Sequence, residues 1–137
     1  MYIKVLLNNA AKDFVQSNEK FIDLLENAFI IEWLEENNVK LYLLYDNDVI
    51  KSFVTLIKME KDPLKKHNMP QYMNYIYTFE EDRRKYYAYY LLLELKNCEN
   101  ITIFCTDDIC KNLFIKAGFV FNKYDPLYKK IPIYRFP

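Results

Sequence analysis

The sequence predicts a mixed α/β domain, with a central, mostly antiparallel sheet flanked by helices. Three observations carry that prediction. Between Tyr72 and Leu95 the apolar period lengthens from strand to helix spacing, so a strand passes through a charged turn into a helix. From Asn9 to Glu36 there is neither Gly nor Pro, and Phe14, Val15, Phe21, Ile22, Leu25, Ala28, Phe29 and Trp33 recur at helical spacing. Short apolar runs bounded by turn residues fill most of the remainder. The resulting order is strand, helical segment, three strands, helix, strand, helix, two strands.

The elements follow in turn. Tyr2 to Leu7 alternates Ile3, Val5 and Leu7 with Tyr2, Lys4 and Leu6, and reads as a strand. The helical segment is either one long helix or two in series, with Ser17 or Asn27 as break points. Lys40 to Tyr45 and Val49 to Met59 flank Asp46-Asn47-Asp48, a tight hairpin turn. Lys61 to Gln71, with two prolines, three lysines and His67, is a loop long enough to line a substrate entrance. Its imidazole is a surface residue or a proton carrier. In the next strand Met73, Tyr75, Tyr77 and Phe79 alternate with Asn74, Ile76 and Thr78.

After that strand come Glu80, Glu81 and Asp82, suited to capping the helix of Tyr87, Ala88, Leu91, Leu92 and Leu95. Arg83, Arg84 and Lys85 suit it badly, because the open amides of a first turn already carry partial positive charge. Two readings stand. The cations pair with the acidic run beside them, or amides and side chains converge on a phosphate. Asn100 to Thr106 is a further strand, and Asp107 to Lys116 a short helix that Gly118 closes. Phe119 to Tyr124 and Ile131 to Phe136 form a final pair around Asp125-Pro126.

Composition bounds the function. The 137 residues read as one domain, 1–137, and a hydrophobic share of 52% supplies a core. Nineteen basic residues balance nineteen acidic ones, which argues against broad nucleic-acid or membrane-surface binding. Cys98, Cys105 and Cys110 cannot all pair with one another, fit no zinc spacing and have a single histidine for company, so no metal site is expected. Reduced thiols, no signal segment and no bilayer-length apolar run imply a soluble, cytoplasmic protein. Abundant Asn, Lys, Ile, Tyr and Phe point to an AT-rich genome, under which the single glycine, Gly118, marks a physical need.

The order of elements, with two stretches of residues, resembles the GNAT superfamily of N-acetyltransferases. The family signature Q/R-x-x-G-x-G/A is met at its first and last positions by Arg83-Arg84-Lys85-Tyr86-Tyr87-Ala88. A second signature, N-x-x-A-x-x-x-Y-x-K-x-G-F, falls on Asp107, Cys110, Phe114, Lys116, Gly118 and Phe119, and the last three match. The resemblance implies a GNAT-like acyl-CoA N-acyltransferase fold, with residues 83–88 holding the pyrophosphate of acetyl-CoA. It implies that Ile76, Tyr77 and Thr78 offer backbone groups to the pantetheine arm between splayed fourth and fifth strands, with Asp107 and Phe114 also at the cofactor. Tyr86 replaces the first motif glycine, where helical φ/ψ accepts a tyrosine whose ring turns away from the cofactor. Phe114 replaces a tyrosine that protonates the departing thiolate, and removal of such an acid costs roughly a hundredfold in rate.

The implied activity is acetyl-CoA-dependent transfer to a primary amine, on a small molecule or a protein. Glu80 and Glu81 are the candidate bases, directly or through water, with helix capping as the plainer role. Tyr124 is the candidate replacement acid, with packing as its plainer role. The alternative is a catalytically impaired module on the same fold that works through protein contacts, including a homodimer, since tyrosines favour interfaces. A third idea, nucleic-acid binding through Arg83 to Lys85 with stacked tyrosines, is opposed by the neutral net charge.

Overall fold

The computed structural model describes residues 1–59, 71–98, 100–104, 108–124 and 132–135. Strand β1 (Tyr2–Leu7) leads into helix α1 (Asn8–Ser17), a 3-10 segment (Glu19–Leu24) and helix α2 (Ala28–Glu35). Then come β2 (Val39–Asp46), β3 (Val49–Lys58), β4 (Gln71–Thr78), helix α3 (Tyr87–Cys98), β5 (Ile101–Phe104), helix α4 (Asp108–Lys116), β6 (Val120–Tyr124) and β7 (Pro132–Arg135). The strands form one sheet in the order β1-β2-β3-β4-β5-β7-β6, antiparallel throughout except for β4 beside β5. The loop from Lys61, with His67, lies outside the described residues, as do Cys105, Thr106 and Asp107. Among the described residues, no helix is long and apolar enough to cross a membrane.

Local chemistry sets most boundaries. Both anticipated break points of the N-terminal helical segment are used. Ser17 Oγ donates back to the Asp13 carbonyl at 2.7 Å, and the Asn18 side chain accepts from the Lys20 amide as the chain turns. The Asn27 side chain caps α2 by accepting from the Phe29 amide at 2.8 Å. Asn47 and Asp48 have φ of 53° and 60°, so a two-residue turn with both central residues left-handed joins β2 to β3. Gly118 ends α4 with φ 99°, while its amide donates to Ile115 and that of Phe119 to Phe114. That pair of bonds is a Schellman cap, and the glycine supplies the conformation it needs.

Each sheet face buries its own core. Ala11, Val15, Phe21, Ile30 and Trp33 from the N-terminal helices pack with Leu41, Leu43, Phe53 and Phe79. On the other face Leu91, Leu92 and Leu95 of α3 and Phe114 of α4 pack with Leu44, Val54, Leu56 and Ile103. One expectation fails here. Met73 does not share a face with Tyr75 and Tyr77 but joins the α3 side with Ile76, because Asn74 is an extra residue in β4. The register jumps from Thr55↔Tyr75 to Leu56↔Met73, a β-bulge that reverses the alternation.

Candidate functional site

The bulge precedes a gap in the sheet. Strands β4 and β5 pair only at Gln71↔Ile101 and Tyr72↔Thr102, so β4 is unpaired on that edge over the rest of its length among the described residues. Its other edge stays bonded to β3: the Phe79 amide donates to Lys51 at 3.1 Å, and Ser52 Oγ donates to the Tyr77 carbonyl at 2.8 Å. Backbone groups alternate sides along a strand, so those of Ile76 and Thr78 face the gap while those of Tyr77 face β3. Arg83 Nε already donates to the Thr78 carbonyl at 2.9 Å, and the guanidinium lies 5.3 Å from the Tyr77 ring centre.

The turn between β4 and α3 differs from the sequence expectation in two ways. Glu80–Asp82 form their own 3-10 turn and do not cap α3. The cations Arg83 to Lys85 precede the helix instead of filling its first turn, because Arg84 and Tyr86 both adopt φ of 66°. Tyr86 is thus not helical. A left-handed residue with a Cβ costs roughly 1–2 kcal/mol. This is the physical reason a glycine suits the position, and Tyr86 holds it under strain.

The first intrahelical bond runs from the Tyr90 amide to the Tyr86 carbonyl, at 3.0 Å. Helix geometry therefore leaves the amides of Tyr87, Ala88 and Tyr89 without an intrahelical acceptor. The residues that carry them line a cavity of about 400 Å³, with Thr78, Asp82, Arg83, Arg84, Tyr86, Leu113 and Lys116. Three of these are cations, Arg83, Arg84 and Lys116, against the single carboxylate of Asp82. Among the described residues Arg84 has no hydrogen-bonding or ionic partner. Lys116 has no carboxylate partner among the described residues, and it sits over two tyrosines, 4.8 Å from the Tyr86 ring centre and 5.2 Å from that of Tyr89. Tyr86 is among the residues lining the cavity, which it leaves open.

A charged network underlies the cavity. Asp82 is only 3% exposed; its Oδ1 meets Lys51 at 3.1 Å and Lys85 at 3.9 Å, while Oδ2 has no hydrogen-bond partner among the described residues. The hydrogen bond to Asp82 pushes the Lys51 ammonium above the usual lysine range. Tyr87 donates its hydroxyl to Asp46 Oδ2 at 2.8 Å, and that bond, with burial, raises the phenol above its ordinary value, so it stays neutral. With Asp82 compensated by Lys51, the open amides and surplus cations leave the cavity fitted to an anion.

The sequence-predicted residues divide accordingly. Thr78, Arg83, Arg84, Tyr86, Tyr87 and Ala88 line the cavity together, and Lys85 adjoins it through Asp82. Ile76 packs with the α3-side core and Tyr77 with the opposite one. Phe114 is 4% exposed and belongs to the core, its ring 6.4 Å from that of Phe119. Glu80 and Glu81 do not line the cavity, and Glu81 faces Lys20 at 4.0 Å on the α1 side. Tyr124 pairs with Pro132 on the edge strand, with β7 between it and β5. Asp107 lies outside the described residues.

Sequence reasoning missed Asp82, Lys51 and Lys116 as members of the site. It also missed Glu32, whose Oε2 accepts from the Asn74 Nδ2 at 3.4 Å where the gap begins. There Tyr72 is raised above the ordinary phenol value, first by burial and then by Glu32. The one available signal was Asn74, a bulge-tolerant polar residue within an aromatic strand. Among the described residues no group of His, Cys, Asp and Glu side chains could hold a metal ion.

No protein-family model matches the sequence, and no curated protein matches it. Solved structures do match the fold. GCN5 from Tetrahymena superposes with a TM-score of 0.63 at 12% identity, over 100% of this chain and 97% of that one. An acetyltransferase from Bacillus subtilis in complex with CoA gives 0.60 at 15% identity, over 98% and 96%. The aminoglycoside 6'-N-acetyltransferase AAC(6')-IG of Acinetobacter haemolyticus gives 0.56 at 18% identity, over 88% and 91%. The fold is therefore the GNAT acyl-CoA N-acyltransferase fold that the sequence motifs implied.

Proposed function

We propose that this protein is an acetyl-CoA-dependent N-acetyltransferase acting on a primary amine. One observation carries the reading. The first residues of α3, whose amides have no intrahelical acceptor, line a cavity of about 400 Å³ together with the cations Arg83, Arg84 and Lys116, and it adjoins the end of β4, whose edge flanks the gap to β5. A diphosphate suits the first part of that arrangement, and an extended amide-bearing arm suits the exposed strand edge. The solved acetyltransferase from Bacillus subtilis that shares the fold has CoA bound.

Transfer requires a deprotonated amine, a polarised thioester carbonyl and an exit for the thiolate. Backbone groups of Ile76 and Thr78 face the gap and would polarise the carbonyl. Glu32, beside Asn74 and Tyr72 on the opposite sheet face, joins Glu80 and Glu81 as a candidate to accept the amine proton. Phe114, buried and without a proton to give, leaves the thiolate to another acid, for which Tyr124 remains the proposed source, or to water.

Calorimetry with CoA tests the reading. Micromolar binding is expected, with a loss of tenfold or more in the double variant Arg84→Ala/Lys85→Ala, since charge-assisted contacts are worth about 1.5–3 kcal/mol each. No binding at millimolar CoA would remove it. The buried Phe114 favours a second reading, a non-catalytic module using the same fold for protein contacts. It predicts CoA binding without turnover, and acetyl transfer to any amine in a broad panel would defeat it.

A further inference from the structure

We infer that Tyr86, braced by Lys116 and Tyr89, is a stacking platform for the nucleobase end of the bound cofactor. The inference rests on the acetyl-CoA reading and names what holds the part of the ligand beyond the diphosphate. Tyr86 occupies a left-handed position with φ 66°, and the residue is 62% exposed. Strain of that kind persists where the surroundings fix it, and burial does not fix this ring. The Lys116 ammonium lies over its ring and also reaches Tyr89, from a helix beyond the next strand. A cation held over two aromatic rings orients them while leaving them at the cavity wall.

The three walls of the cavity then have different chemistry. Thr78 ends the strand edge, Tyr87 and Ala88 bring the first amides of α3, and Tyr86, Tyr89 and Lys116 add aromatic rings and a cation to the lining. A ligand whose diphosphate sits on those amides and whose polar arm follows β4 has one remaining portion to place beside those rings. Aromatic faces beside an ammonium that has no carboxylate partner among the described residues match a flat heteroaromatic base carried on a phosphorylated sugar. The tyrosine thus adds a contact that the glycine it replaces cannot make.

Calorimetric titration of CoA and of 4'-phosphopantetheine, which has no adenine, into the full chain and its Tyr86→Gly and Tyr86→Phe variants provides the test. Glycine is the residue the backbone favours, so that variant relaxes the turn and retains the fold, as thermal unfolding will check. Tyr86→Gly is expected to weaken CoA roughly tenfold, from the loss of one base stack. Phosphopantetheine affinity should stay within about twofold, and Tyr86→Phe should bind CoA like the wild type. If Tyr86→Gly binds CoA undiminished, or loses both ligands equally, the platform is refuted while the acetyl-CoA reading stands. If the wild-type chain binds no CoA, both are refuted.

Discussion

Two positions in this chain need left-handed backbone beside a helix on the α3 face, and they are filled differently. At the end of α4 the need is met by Gly118, the sole glycine, with φ 99°. At the start of α3 it is met by Tyr86 at φ 66°, with Arg84 at the same angle two residues earlier. The α4 end is closed by its own backbone bonds and requires nothing further. The α3 end has amides without intrahelical acceptors, a cavity and, among the described residues, cations without carboxylate partners and a buried carboxylate with one unpartnered oxygen. Relaxed geometry accompanies the terminus that only ends a helix, and strain with unpaired polar groups accompanies the one we propose for binding.

Mutations can break this contrast. The largest effect is expected at Asp82, for which the α4 end has no counterpart. Asp82→Ala should cost about 2 kcal/mol in urea unfolding, because it removes a buried charge-assisted bond and strands Lys51. The same variant should bind CoA at least as tightly, since it removes the one carboxylate that lines the cavity among the described residues. A pH series sharpens the point. Lys51 is raised in the folded state, so its contribution is complete below the ordinary lysine range and is lost as pH climbs through the folded value. The wild type should therefore lose stability at strongly alkaline pH relative to Asp82→Ala.

Next in size is Gly118→Ala, which forces a Cβ into left-handed backbone and should cost about 1 kcal/mol in the same unfolding assay. The smallest effect is expected for the reciprocal change. Tyr86→Gly relieves strain but loses the Lys116 contact and loosens the unfolded chain, so its stability should stay within about 1 kcal/mol of wild type. Equal and opposite shifts of that size at the two positions would mean the backbone alone distinguishes them.

What the sequence by itself determined were features written in neighbouring residues. Asn27 caps its helix, Asn47 and Asp48 make the hairpin turn, Gly118 closes α4, and the change of period after Phe79 announces strand then helix. These depend on side chains within a few positions of one another, so the local string contains the needed physics. The motif positions at residues 83–88 were legible for the same reason, and most of them do line the cavity.

Only the tertiary structure decided the rest. The bulge at Asn74, which moves Met73 to the other face, exists relative to the register of β3 and cannot be read from β4 alone. The placement of β7 between β5 and β6 is a pairing choice between distant segments. Asp82 looked like a helix cap and became a buried partner of Lys51, 31 residues away in sequence. Tyr86 looked helical because tyrosines follow it, and Lys116, on another helix, is what meets its ring. Conformation at such a site is set by contacts between residues far apart in the chain, and those contacts exist only once the sheet has brought its strands together.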